Sequence, residues 1–155
     1  QHTELKELLV MLKGDNIHTC IETNGTSPKL MELLGYIDYL IMDFKHYDSD
    51  ILKKYTGVGN EAVKNNFKEI CKLGRQLHIR IPLINGINTD NPEEFAIYFS
   101  KFDTSNTVFE FLAYHEYGKD KWTEEYKVKD GFISEETLKK FKEEFIKHNL
   151  KIVTT

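Results

Sequence analysis

The chain has 155 residues, 40% of them hydrophobic and 30% charged, with a formal net charge of -4, the profile of one soluble globular domain with a core of its own. That charge gives no basic field for a nucleic-acid backbone, no apolar run approaches the ~20 residues of a membrane span, and no signal peptide stands out. Two cysteines, Cys20 and Cys71, are too few for a disulfide framework or a cysteine-only metal site, and suit a reducing, cytoplasmic compartment.

Gln1 in place of Met, with Thr3 placed to cap a helix at once, reads as the start of a fragment or as an expression scar. Leu5, Leu8, Leu9 and Leu12 form a helical stripe that Gly14 closes. A strand is expected from about Ile17 to Glu22, then the turn Thr23-Asn24-Gly25. Ser27-Pro28 opens a short helix carrying Leu30, Leu33 and Leu34. The next strand runs from about Tyr39 to Phe44. A polar stretch, Asp48 to Gly59, leads to a helix capped by Asn60 with Val63, Phe67, Ile70 and Cys71 inward and Gly74 past its end. A third strand, Leu77 to Leu83, precedes the loop Asn85-Gly86-Ile87-Asn88. Asn91-Pro92 starts a helix with Phe95, Phe99 and Phe102 inward. The fourth strand, Val108 to Leu112, enters a polar and aromatic loop, and a last helix from Ser134 leads to a strand-like tail at Ile152-Val153. Its Lys and Glu residues between Glu135 and Lys147 read as a solvated face. Strand–helix alternation without repeats points to an α/β fold on a parallel sheet, open or partly closed into a barrel.

Such sheets expose their chemistry at the C-terminal strand ends. Those ends hold Glu22-Thr23, Asp43 with Lys45, Arg80 and His115, spaced by 21, 37 and 35 residues, as successive βα units would be. Strand phase puts Leu40, Met42 and Phe44 on one face and Ile41, Asp43 and Lys45 on the other; Ile79, Ile81 and Leu83 likewise oppose His78 and Arg80. Charges on a covered face are costly unless paired or bound to a ligand. Two readings follow: a structural ion-pair cluster of Asp43 with Lys45 or Arg80, or a ligand site. Glu22 and Asp43, brought close, need a proton or a cation between them, which Lys45, Arg80 or a hard metal ion could supply.

The same residues carry a resemblance. Ile21-Glu22-Thr23-Asn24-Gly25, Met42-Asp43-Phe44-Lys45, Tyr55-Thr56-Gly57-Val58-Gly59-Asn60, Ile79-Arg80-Ile81-Pro82-Leu83-Ile84-Asn85-Gly86 and the loop from Phe111 through Tyr114-His115-Glu116-Tyr117-Gly118 to Lys121-Trp122 follow one another in order. Together they resemble the pyruvate formate-lyase activating enzyme family of radical S-adenosylmethionine (SAM) proteins, over nearly the whole chain. The resemblance implies a partial (β/α)6 TIM-like barrel, here truncated to its later βα units, with residues 1–155 as the C-terminal part of a single barrel domain. The family's C-x3-C-x2-C loop, which holds a 4Fe-4S cluster, and its glycine–glycine–glutamate–proline motif are not in this sequence. Both are expected in a preceding N-terminal portion, and Cys20 and Cys71, 51 residues apart, do not replace them.

By the same resemblance, the function is that of an oxidoreductase that activates a glycyl radical enzyme of pyruvate formate-lyase type. SAM bound at the cluster yields a 5′-deoxyadenosyl radical, which takes a hydrogen from a glycine of the partner, with flavodoxin or ferredoxin as electron donor. Asp43, Lys45, Arg80, His115 and Thr23 match SAM-pocket residues. Glu22, Thr23 and Asp43, with the carbonyl of Ile41, match a monovalent cation site, although the family's best-known member has Asp where Glu22 stands. Tyr114, His115, Gly118, Lys121 and Trp122 match the partner-facing loop. No residue of this chain is matched to a catalytic role, and the fragment alone is expected to be inactive. Ala113 and Asn85 stand where the family usually has proline, which bears on loop stiffness and leaves the particular partner open. The alternatives are a radical SAM enzyme acting on a small molecule, a non-redox phosphate- or sugar-binding barrel, for which Asn85-Gly86-Ile87-Asn88 is a poor phosphate loop, and a non-catalytic interaction module.

Overall fold

The computed structural model describes residues 2–121, 123 and 128–153. Helix α1 (His2–Gly14) leads to strand β1 (Cys20–Thr23). Two 3-10 turns, Leu30–Glu32 and Leu34–Tyr36, connect it to β2 (Tyr39–Asp43). Helices α2 (Ser49–Thr56) and α3 (Glu61–Lys72) lead to β3 (Leu77–Leu83). Then come α4 (Pro92–Ser100), β4 (Thr107–Ala113), a 3-10 turn at Lys119–Lys121 and α5 (Glu135–Lys147).

All ladders are parallel and the sheet order is β1-β2-β3-β4. After α5 the chain returns beside β4, where Ile152 bridges Phe109 in parallel. Each strand therefore neighbours the one before it, as in a barrel wall wound in one direction. One face of the sheet carries the core: Met42, Phe44, Ile79, Ile81, Leu83 and Phe109 are buried completely. Phe99 of α4 is the hub, its ring 4.7 Å from both Phe44 and Phe109 and 5.2 Å from Phe67. The other face, with Tyr39, Ile41, Asp43, His78, Arg80 and Glu110, is only partly covered. Among the described residues no helix is long and apolar enough to cross a membrane.

Strand phase and the α3 and α4 stripes agree with the sequence expectations; several local features differ. His2 is already helical, so Thr3 does not cap α1. Asn16, at φ 57°, rather than Gly14, makes the left-handed reversal after that helix. The segment opened by Ser27-Pro28 winds into 3-10 turns instead of an α-helix. The polar stretch 48–59 contains α2, capped by the Asp48 carboxylate on the Asp50 and Ile51 N–H groups and ended by Gly57 at φ 80°. That helix buries no residue completely, so it wrote no full apolar stripe into the sequence.

Candidate functional site: a charged rim on the open face

β2 and β3 pair Asp43 with Arg80, and β3 and β4 pair Arg80 with Glu110. Glu22 lies two positions earlier, in register with Ile41. Alternation then turns Glu22, Asp43, Arg80 and Glu110 to the face away from the core. There the Arg80 guanidinium meets both carboxylates: Nη2 hydrogen-bonds Glu22 Oε1 and lies 3.3 Å from Asp43 Oδ1, with Nε 3.4 Å from the same oxygen. The Lys45 ammonium donates to the other Asp43 oxygen at 2.9 Å. The positive charge expected between Glu22 and Asp43 is thus supplied by Arg80. Burial pulls the Arg80 pKa down, but Glu22 and Asp43 together outweigh it and hold the guanidinium more firmly charged than usual.

Side-chain exposure falls from 57% at Glu22 and 40% at Lys45 to 22% at Asp43 and 19% at Arg80. The inner members are desolvated and the outer ones wet. A pocket of about 230 Å³ adjoins it, lined by Asp43 and Lys45, by Asn24 and Thr26 past β1, and by Leu52 and Val58.

The loops that carry these groups are held by buried amides. Asn66 of α3 donates to the carbonyls of Gly25 (2.9 Å) and Ser27 (2.8 Å). Gly25 sits at φ +69°, and a Cβ there would meet Met42 Sδ at 2.5 Å, so this turn requires glycine. Asn60, expected as a helix cap, makes no cap hydrogen bond with its side chain; it donates instead to the carbonyls of His46 (2.7 Å) and Tyr47 (3.0 Å). His46 is buried and accepts the Asp48 N–H at Nδ1, 2.8 Å away. Burial pushes its imidazole below the usual histidine range.

Two residues matched to the SAM pocket are not brought into this cluster. Thr23 is in register with Met42, the core-side phase, and its hydroxyl accepts the Gly25 N–H at 3.1 Å. Its hydroxyl is therefore turned away from Glu22 and Asp43. His115 follows the end of β4 at Ala113, five positions beyond Glu110, the register partner of Arg80. It is exposed, with its ring stacked on Tyr117 at 4.5 Å. It shares the C-terminal end of the sheet with the cluster, but not its level. In the same loop, Tyr114 packs edge-on against Phe132 at 5.3 Å, Gly118 and Lys121 are exposed, and Trp122 lies outside the described residues.

Sequence reasoning placed His78 on the open face beside Arg80 but missed its two neighbours there, Glu110 and Tyr39. His78 Nε2 lies 3.1 Å from Glu110 Oε2, and Tyr39 Oη is 3.1 Å from His78 Nδ1. Glu110 was legible by the signal that exposed Arg80: a charge alternating with Phe109 and Phe111 in an otherwise apolar strand.

Neither cysteine is set up as an iron–sulfur ligand. Cys20 is exposed at the start of β1; Cys71 is buried in α3, where burial pushes its thiol up to about 11. Among the described residues no group of three or more His, Cys, Asp or Glu side chains is arranged to hold a metal ion. The residues of this chain therefore do not fit a 4Fe-4S cluster. The rim offers two cations, Lys45 and Arg80, suited to a ligand carboxylate, and in Asp43 an acceptor suited to ligand hydroxyl groups, the chemistry that SAM would need.

Comparison with known proteins shows the family and the fold. The model of the radical SAM superfamily matches residues 1–98. A 4-hydroxyphenylacetate decarboxylase activating enzyme of Clostridioides difficile (strain 630) is 30% identical over 159 residues, covering 97% of this chain and 50% of the relative. A trans-4-hydroxy-L-proline dehydratase activating enzyme of Clostridioides difficile is 34% identical over 87% of this chain and 47% of its own length. Pyruvate formate-lyase 1-activating enzyme of Escherichia coli (strain K12) is 32% identical over 77% and 51%. The chain thus spans about half the length of these curated relatives. The crystal structure of a domain of pyruvate-formate lyase-activating enzyme from Bacteroides vulgatus superposes with a TM-score of 0.81 over 97% of this chain and 89% of that one, at 22% identity, a likeness of fold.

Proposed function

Because the chain belongs to the radical SAM superfamily, we propose that it is the C-terminal part of a single barrel domain in a longer activating enzyme, and that it supplies the SAM-facing rim and the partner-facing loop. The substrate of the whole protein is then a glycine of a glycyl radical enzyme, and its electron donor is a flavodoxin or ferredoxin. The observation that carries this reading is the convergence of Glu22, Asp43, Lys45 and Arg80 on the open face at the C-terminal strand ends.

The cluster ligands belong to the portion outside this chain. SAM, bound beside that cluster, supplies the hydrogen-abstracting radical. The residues here bind and orient. Asp43 exchanges an ion pair with Arg80 or Lys45 for hydrogen bonds from ligand hydroxyl or ammonium groups. Lys45, freed on its flexible stem, answers the ligand carboxylate as a point charge. Arg80, held by Glu22, keeps the wall of the pocket positive when Asp43 turns to the ligand. The loop around Tyr114, His115, Gly118, Lys121 and Trp122 faces the incoming partner.

The test uses the longer protein with its cluster assembled anaerobically. Mixed with reductant, SAM and a glycyl radical enzyme, it should yield the glycyl radical doublet in electron paramagnetic resonance together with 5′-deoxyadenosine. Asp43→Ala should weaken SAM binding by roughly ten- to hundredfold, the loss of a charge-assisted hydrogen bond of about 1.5–3 kcal/mol, with the cluster still assembled. SAM affinity unchanged in Asp43→Ala would sink the assignment of the rim.

A further inference from the structure

β2 and β3 part just where the site is built. Their last ladder bond runs from the Phe44 N–H to the Arg80 carbonyl at 2.8 Å. The parallel pattern would next use an N–H from residue 82, but that residue is Pro82, which has none. Beyond this point nothing in the sheet itself fixes Lys45 relative to β3.

Asn88 spans the gap. It is 5% exposed, and its amide is fully used. Nδ2 donates to the Pro82 carbonyl at 2.7 Å and to the Lys45 carbonyl at 2.9 Å, and Oδ1 accepts the Ile84 N–H at 2.8 Å. The turn that delivers it is closed by bonds from the Ile87 and Asn88 N–H groups to the Ile84 carbonyl, with Gly86 at φ 69°. One side chain thus takes over from the ladder at the position where Pro82 ends it. Of the three buried asparagines at this rim, Asn88 is the one that holds the backbone of a charged rim residue.

We propose that Asn88 is a positioning residue for the ligand site: by fixing the Lys45 carbonyl against β3 it sets where the Lys45 ammonium can reach. This rests on the assignment of the rim to SAM. The predicted signature is coupling. If Asn88 acts through Lys45, its loss matters to the ligand only while the ammonium is present. If Asn88 merely stabilises the fold, its loss affects binding equally with and without Lys45.

The experiment measures SAM affinity in the longer, cluster-loaded protein for the parent, Lys45→Ala, Asn88→Ser and the double variant, with thermal midpoints alongside. Asn88→Asp, which keeps the bond to Ile84 and cuts those to Lys45 and Pro82, serves as a second variant should the first not fold. Asn88→Ser is expected to weaken SAM binding about fivefold, the equivalent of one hydrogen bond, to raise KM for SAM more than it lowers kcat, and to add less than about twofold in the Lys45→Ala background. Full multiplication of the two effects, or SAM affinity unchanged in both Asn88 variants, overturns the inference. SAM affinity unchanged in Lys45→Ala alone overturns the assignment of Lys45 to the ligand and leaves Asn88 as a fold clamp only.

Discussion

Replacing Arg80 with Met keeps most of the stem and removes the charge that two carboxylates share. Its Nη2 is 3.3 Å from Asp43 Oδ1, a gross attraction of about 5 kcal/mol at an effective dielectric of ~20. Most of that is offset. Arg80 regains its desolvation cost on removal, and Asp43 keeps Lys45 at 2.9 Å, so it is not left as a lone buried charge, a state that costs about 3–5 kcal/mol. The Glu22 arm is more than half exposed and adds at most about 1 kcal/mol. The expected loss for Arg80→Met is therefore about 1–2 kcal/mol, read by urea unfolding with an unchanged m-value. A double-mutant cycle with Asp43→Asn should return a coupling of similar size. An Arg80→Met variant as stable as the parent, with a coupling below about 0.5 kcal/mol, would refute the view that Arg80 holds the two carboxylates together.

Two further outcomes follow from burial. Cys20 should react with a thiol reagent rapidly in the folded chain, whereas Cys71, buried and with its thiol pushed up to about 11, should react only on unfolding; equal rates would contradict the packing of α3. Burial depresses the His46 pKa below its unfolded value, so the unfolded state takes up a proton first as pH falls. Stability should be complete above about pH 6.5 and decline below it; His46→Asn, which can keep the acceptor for the Asp48 N–H, should flatten that slope between pH 7 and 5, and an unaltered slope would place its origin elsewhere.

The sheet was legible because parallel strands with one buried face write their phase into the chain. Leu77, Ile79, Ile81 and Leu83 alternate with His78, Arg80 and Pro82, and β3 runs over that span. The cluster was legible for the same reason: a charge out of phase with a core strand has to be answered by something. What stayed hidden lacks a period. Helix α2 is tied by its caps rather than by a buried stripe, and Asn60, Asn66 and Asn88 act through carbonyls that no side-chain pattern reports. His115 was given the same level as Arg80 because spacing counts βα units, and it is blind to how far past its strand a loop residue stands. Thr23 was grouped with Glu22 and Asp43 through the resemblance, although neighbouring strand residues face opposite ways and its hydroxyl turns to the Gly25 N–H.

The assignment of the open face is tested most directly by a crystal structure of the longer protein with SAM bound. The ligand should lie on the face away from Phe44 and Ile79, within hydrogen-bond distance of Asp43 or Lys45, with at least one of the ion pairs to Asp43 exchanged for a ligand contact. A ligand seated elsewhere, with Glu22, Arg80, Asp43 and Lys45 still paired among themselves and remote from it, would contradict the assignment and leave the four as a structural ion-pair cluster.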